Sequence, residues 1–229
     1  MTVLVAALAG SGAAGCGSLT RAELPPPATP PRSPALLARP TGRVLPLAAV
    51  GPLVARATGA GTAAALGDGR RVVIDGRART ATLTDRVGRA LVSVPAGVGP
   101  TRIACVDLRT CLVLDTDGDG LLVLAVGAAD LRITRRVALL GGPSGLALDR
   151  RRARAWVTLP GRNELVALRA GRRPHVLVRR PTVRQADRVA VEPRRGGVVV
   201  MGSQDGRRVV ELVGPAAAGA PASRPAARR

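Results

Sequence analysis

The chain has 229 residues, 46% of them apolar, and a formal net charge of +20 carried by 35 basic residues, every one an Arg. That length holds one domain plus tails, with a core built from Val, Leu and Ala because Phe and Tyr are absent and Trp occurs once. The charge favours anionic partners, but no nucleic acid partner is expected, since aromatic side chains for base stacking are missing and the Arg residues are scattered in pairs and triplets.

Residues 2–16, TVLVAALAGSGAAGC, form an apolar stretch that turns small-residue-rich and ends at Cys16. It is shorter than the roughly 20 residues a membrane-spanning helix needs, and residues 1–16 read as a signal peptide. Ala13-Ala14-Gly15-Cys16 resembles a bacterial lipobox. The resemblance implies lipidation of Cys16, hence an extracytoplasmic protein held at the cell membrane. Leu is usual where Ala13 stands and no basic residue precedes the apolar core, so secretion without an anchor is the alternative. Residues 17–41 are dense in Pro, which favours extended polyproline conformation without a packed element; they read as a tether. GRVLPLAAV, residues 42–50, is an unpaired strand candidate.

Three later segments superpose, starting at Gly99, Gly142 and Gln185. Ile103, Leu146 and Val189 match, as do Leu124, Leu168 and Leu212, at spacings of 43 or 44 residues. Residues 62–94 repeat the same rhythm more loosely. Each copy alternates short Val-rich runs with Gly, Asp or Asn turns, the pattern of a strand meander, and the period is that of propeller blades. Arg-rich outer strands are expected over residues 132–139 and 174–180, where charge discourages edge pairing. The last copy ends at VVELVG without an outer strand, so residues 42–50 are expected to complete it. The fold class is all-β, with β-propeller-type repeats over residues 42–214 making about four blades, as a closed ring or a partial propeller; residues 215–229 read as a disordered tail.

GGPSGLALD, ARAWVTLPGRNELVAL and PTVRQADRVAVEP, with DTDGDGLLVL upstream, resemble secreted propeller lipoproteins of the YVTN and NHL-like repeat type from GC-rich bacteria. The resemblance covers about residues 90–213. It implies a signal, a Pro-rich linker and six or seven blades, more than this chain holds. Gly145 stands where an aromatic is usual in that group and Ala186 where Pro is usual. The group implies a binding scaffold without an established reaction.

Asp115, Asp117 and Asp119 match the start of a calcium loop, but the ninth and twelfth positions are Val123 and Val126, which offer no ligand. A plain Asp-Gly turn is therefore expected, with no metal and no cofactor. Cys105 and Cys111 are either a disulfide or two buried thiols. The only His, His175, lies in an outer-strand segment, and no Ser has an imidazole partner, so no catalytic residue is assigned. Trp156 packs between blades or forms a ligand platform at a channel mouth; with Arg162, Asn163 and Gln185, at turns and strand starts, it makes up the candidate binding set. The expected function is a lipid-anchored binding or scaffolding module at the cell envelope, its partner a protein or an anionic wall polymer or lipid. The alternative is a lactonase-like hydrolase using the central pocket.

Overall fold

Arg71, Val73 and Asp75 are exposed while Val72 and Ile74 between them are buried, the alternation an extended strand imposes on successive side chains. The more apolar runs Thr110–Asp115 and Gly120–Val126 are buried nearly throughout, as strands covered on both faces must be. The computed structural model describes residues 24–51, 54 and 59–214. The signal segment with Cys16, the start of the spacer and the tail 215–229 lie outside the described residues.

Sixteen strands form among the described residues. β1 (Arg43–Pro46) precedes four consecutive groups: β2 (Ala63–Ala65), β3 (Arg71–Asp75), β4 (Thr80–Thr84) and β5 (Ala90–Pro95); β6 (Pro100–Asp107), β7 (Thr110–Asp115), β8 (Gly120–Val126) and β9 (Leu131–Ala138); β10 (Gly145–Asp149), β11 (Arg154–Leu159), β12 (Glu164–Arg169) and β13 (Val176–Pro181); and β14 (Arg188–Val191), β15 (Val198–Gln204) and β16 (Arg207–Val213). The first three groups are antiparallel four-stranded meanders, and the fourth sheet runs β1-β16-β15-β14. Ala63 faces Val73, Ile103 faces Val113, Leu146 faces Val157 and Val189 faces Val200, so the sequence register of the copies is also their structural register. This is a β-propeller of four blades.

Turn chemistry fixes where the strands stop. Asp75, Asp85 and Asp107 each accept backbone N–H groups two residues on, from Arg77, Val87 and Arg109 at 2.8, 3.0 and 2.8 Å. Before the third strand of the first three blades stands a left-handed residue, Arg79, Asp119 or Asn163, with φ of 56°, 52° and 51°. Asp and Asn tolerate that conformation better than other non-glycine residues do.

β1 pairs with β16 from Arg43 opposite Leu212 to Pro46 opposite Val209. The unpaired candidate strand thus supplies the outer strand missing from the last copy, joining both ends of the domain in one sheet. Buried Glu211 secures the junction by accepting hydrogen bonds from the N–H of Gly42 at 2.6 Å, the N–H of Val183 at 3.2 Å and the hydroxyl of Thr182.

Buried clusters lie between successive blades. Leu83 and Ile103 belong to the cluster of the first and second, Leu114 and Val157 to that of the second and third, and Trp156 and Val200 to that of the third and fourth. Among the described residues no such cluster joins the fourth blade to the first. The far face of the fourth is covered instead by Val50, with Leu47 and Val54 packed alongside. The matching face of the first blade is polar, with Thr82 and Ser93 hydroxyls 3.0 Å apart and Val73 36% exposed. The described residues therefore form an open arc, in which the first and fourth blades share no buried apolar cluster.

Candidate binding site

Two of the four candidate binding residues meet at one place, and what they hold is the chain's own Pro-rich segment. Asn163, at its left-handed turn, donates through Nδ2 to the carbonyls of Pro34 at 3.1 Å and Ala35 at 3.4 Å. Gln185 donates its backbone N–H to Ser33 Oγ at 2.7 Å and accepts the Ser33 N–H on Oε1. Ser33 Oγ in turn donates to the Pro160 carbonyl at 2.8 Å, and Arg184 donates to the Ser33 carbonyl at 3.2 Å. Glycines clear the track: a Cβ on Gly142 would lie 2.4 Å from Pro31 and one on Gly99 2.6 Å from Ala28.

The spacer, expected to run free as a tether, is extended without regular structure but docked as a strap from residue 27 to residue 35. The physical reason is that polyproline conformation makes no internal hydrogen bonds, which leaves carbonyls for turn side chains to satisfy. Arg162 borders the same groove but makes no hydrogen bond to the strap among the described residues: it is exposed and pairs with Glu164 at 3.3 Å.

Trp156 is not a ligand platform. It is 1% exposed and lies in the cluster between the third and fourth blades. β11 is covered on both faces, so its side chain has nowhere else to go. Cys105 and Cys111 face each other across β6 and β7 and are bonded, with sulfurs 1.98 Å apart. The three aspartates do not converge on a cation. Asp115 is fully buried and accepts the N–H groups of Val98 at 2.9 Å and Gly99 at 2.8 Å, with Arg136 at 3.2 Å. Asp119 accepts those of Gly141 and Gly142 at 2.9 and 2.8 Å, and Asp117 is exposed. These carboxylates clamp the loops that lead into the second and third blades.

The centre of the arc was missed in the sequence. One residue before the matched Ile103, Leu146 and Val189 stand Arg102, Gly145 and Arg188, and Thr62 holds the same place before Ala63. Both arginines line two cavities. One, of about 400 Å³, is also lined by Thr62, Thr101, Thr116, Ser144 and Asp187 and bordered by Pro27, Ala28 and Pro30 of the strap. The other, of about 330 Å³, lies against Gly59, Ala60, Gly145 and Met201. The segment between them crosses the inner strands: Ala60 donates to the Leu146 carbonyl at 2.7 Å, and Gly61 pairs with Ile103.

Among the described residues no hydrogen bond or ion pair engages the side chain of Arg102 or Arg188. The acidic side chain in the larger cavity, Asp187, is held by Arg208 at 3.1 and 3.2 Å. His175 is exposed beside β13, the outermost strand of the third blade. The available signal was the Arg, Gly, Arg column in the aligned copies.

No protein-family model matches the sequence, and no curated protein matches it. Similarity to solved structures is confined to fold. Hydrazine synthase from Kuenenia stuttgartiensis is 17% identical with a TM-score of 0.60, over 70% of this chain and 47% of that one. Virginiamycin B lyase from Staphylococcus aureus is 10% identical with a TM-score of 0.50, over 66% and 50%. A putative 6-phosphogluconolactonase from Bacteroides uniformis is 9% identical with a TM-score of 0.50, over 62% and 50%. The chain spans about half the length of each of these structures, and its structural neighbours are β-propeller proteins, in agreement with its own four blades.

Proposed function

We propose that this protein is an extracytoplasmic, lipid-anchored β-propeller that serves as a binding or scaffolding module at the cell envelope. The observation that carries the reading is what the blades bring to the centre: two arginines, Arg102 and Arg188, that line both central cavities and have no hydrogen bond or ion pair among the described residues. General acid–base chemistry needs a proton-transferring group within reach of the substrate. The carboxylate at the larger cavity is bound by Arg208 and the imidazole lies on an outer edge. A net charge of +20 supports attraction to anionic wall polymer or lipid, and the segment ending at Cys16 supports the anchor.

The test uses the full chain and a Cys16→Ser variant in a bacterial host. Fatty-acid labelling and membrane retention are expected for the first and lost in the second. Purified protein is expected to sediment with anionic vesicles and not with neutral ones, and to be released by salt. Equal sedimentation with both vesicle types would remove the envelope-binding reading. Turnover of a simple lactone would favour the hydrolase.

A further inference from the structure

We infer that the larger of the two central cavities is a binding site for a small molecule bearing a compact dianionic oxyanion group, held between Arg102 of the second blade and Arg188 of the fourth. The inference rests on the binding reading above only in taking the propeller to hold a ligand; it does not need the envelope location.

Three features lead to it. First, the two arginines occupy equivalent positions on blades that flank the third, and the equivalent there is Gly145, which lines the smaller cavity with them. A Cβ at Gly145 would stand 2.8 Å from the Val189 N and 2.9 Å from the Arg188 carbonyl carbon, so β10 and β14 approach as closely as they do only because this residue is Gly.

Second, half-buried Arg102 and exposed Arg188 line the same two cavities, and among the described residues neither side chain has a hydrogen bond or ion pair. Asp187, the acidic neighbour, is neutralised by its two contacts with Arg208. Two like charges sharing one concave site repel, and a ligand carrying two negative charges relieves both. The planar fork of guanidinium matches phosphate or carboxylate oxygens in pairs.

Third, three of the four hydroxyls that line the larger cavity are already committed as donors to protein oxygens. Thr116 donates to the Pro143 carbonyl at 2.6 Å, which makes Thr101 the donor in its 2.7 Å contact with Thr116, and Ser144 donates to the Gly142 carbonyl at 2.8 Å. Arg102 and Arg188 are the cationic side chains of the cavity's lining and supply the charge that an anion needs. A volume of about 400 Å³ falls in the range of small-molecule sites and leaves room for an organic body beyond the charged group.

The experiment is calorimetric titration of the full chain with inorganic phosphate, sulfate and succinate at constant ionic strength, with chloride as the blank. The variants are Arg102→Ala, Arg188→Ala, the double variant, and Arg135→Ala on the exposed face of β9. Saturable binding of at least one dianion is expected for the parent and for Arg135→Ala. Each single variant should weaken it by about tenfold or more, and the double variant should abolish it. Arg102→Lys and Arg188→Lys keep the charge without the fork and serve if an Ala variant fails to fold, as read from Trp156 emission; they should bind more weakly than the parent. Parent binding no stronger than chloride, or undiminished binding by the double variant, overturns the inference. Because the probes are soluble ions, that result is separable from failure on vesicles.

Discussion

Glu211 joins a functional-group argument to the closure of the domain. Burial pushes its carboxyl above the ordinary 4.5, while hydrogen bonds from Thr182, Gly42 and Val183 pull it the other way. The folded chain therefore holds this proton more tightly than the unfolded chain. Its contribution to stability is full below the unfolded value and declines as pH rises through the raised folded value. Denaturant midpoints measured from about pH 4 to about pH 8 should fall more steeply with pH for the parent than for Glu211→Gln, which cannot ionise. Parallel curves would show that Glu211 titrates as an exposed carboxylate does.

At the scale of elements, the strap is the feature that departs most from its reading in the sequence. Asn163 anchors it through two carbonyls while holding a left-handed backbone, so Asn163→Gly removes the side-chain bonds and keeps the conformation. Exposed Arg32 sits next to buried Ser33, which makes the bond after Arg32 a reporter of docking. Trypsin should cut there about tenfold faster in Asn163→Gly, in line with the loss of about one net hydrogen bond's worth of stability, and no faster in Arg162→Ala. An unchanged rate in Asn163→Gly would mean that Asn163 does not hold the strap. The outer strands follow the logic of edges. β9 presents exposed Arg132, Arg135 and Arg136, and β1 and β13 end at Pro46 and Pro181, residues that deter pairing with a further strand.

For the whole molecule the open arc matters most. Among the described residues the second and third blades each have a buried interface on both sides, the fourth has one plus the cover from Val50, and the first has one. In a stack of repeats stability is close to a sum over neighbouring interfaces, so the first blade should unfold ahead of the rest. The chain has one Trp and no Tyr, and Trp156 reports only the contact of the third and fourth blades. Strand signal in far-ultraviolet circular dichroism is therefore expected to decline at lower denaturant than the shift in Trp156 emission. Coincident transitions would indicate a single cooperative unit.

The sequence by itself determined the blade register, the meander within each copy and the pairing of residues 42–50 with the last copy, because period, strand alternation and turn residues are local properties written along the chain. Only the tertiary structure decided that the described blades form an open arc, that the Pro-rich segment docks on Asn163 and Gln185, and that Arg102 and Arg188 line the same central cavities without a partner among the described residues. Those outcomes depend on which faces, carbonyls and charges remain unsatisfied once the blades have packed, and a residue's neighbours in sequence do not reveal that.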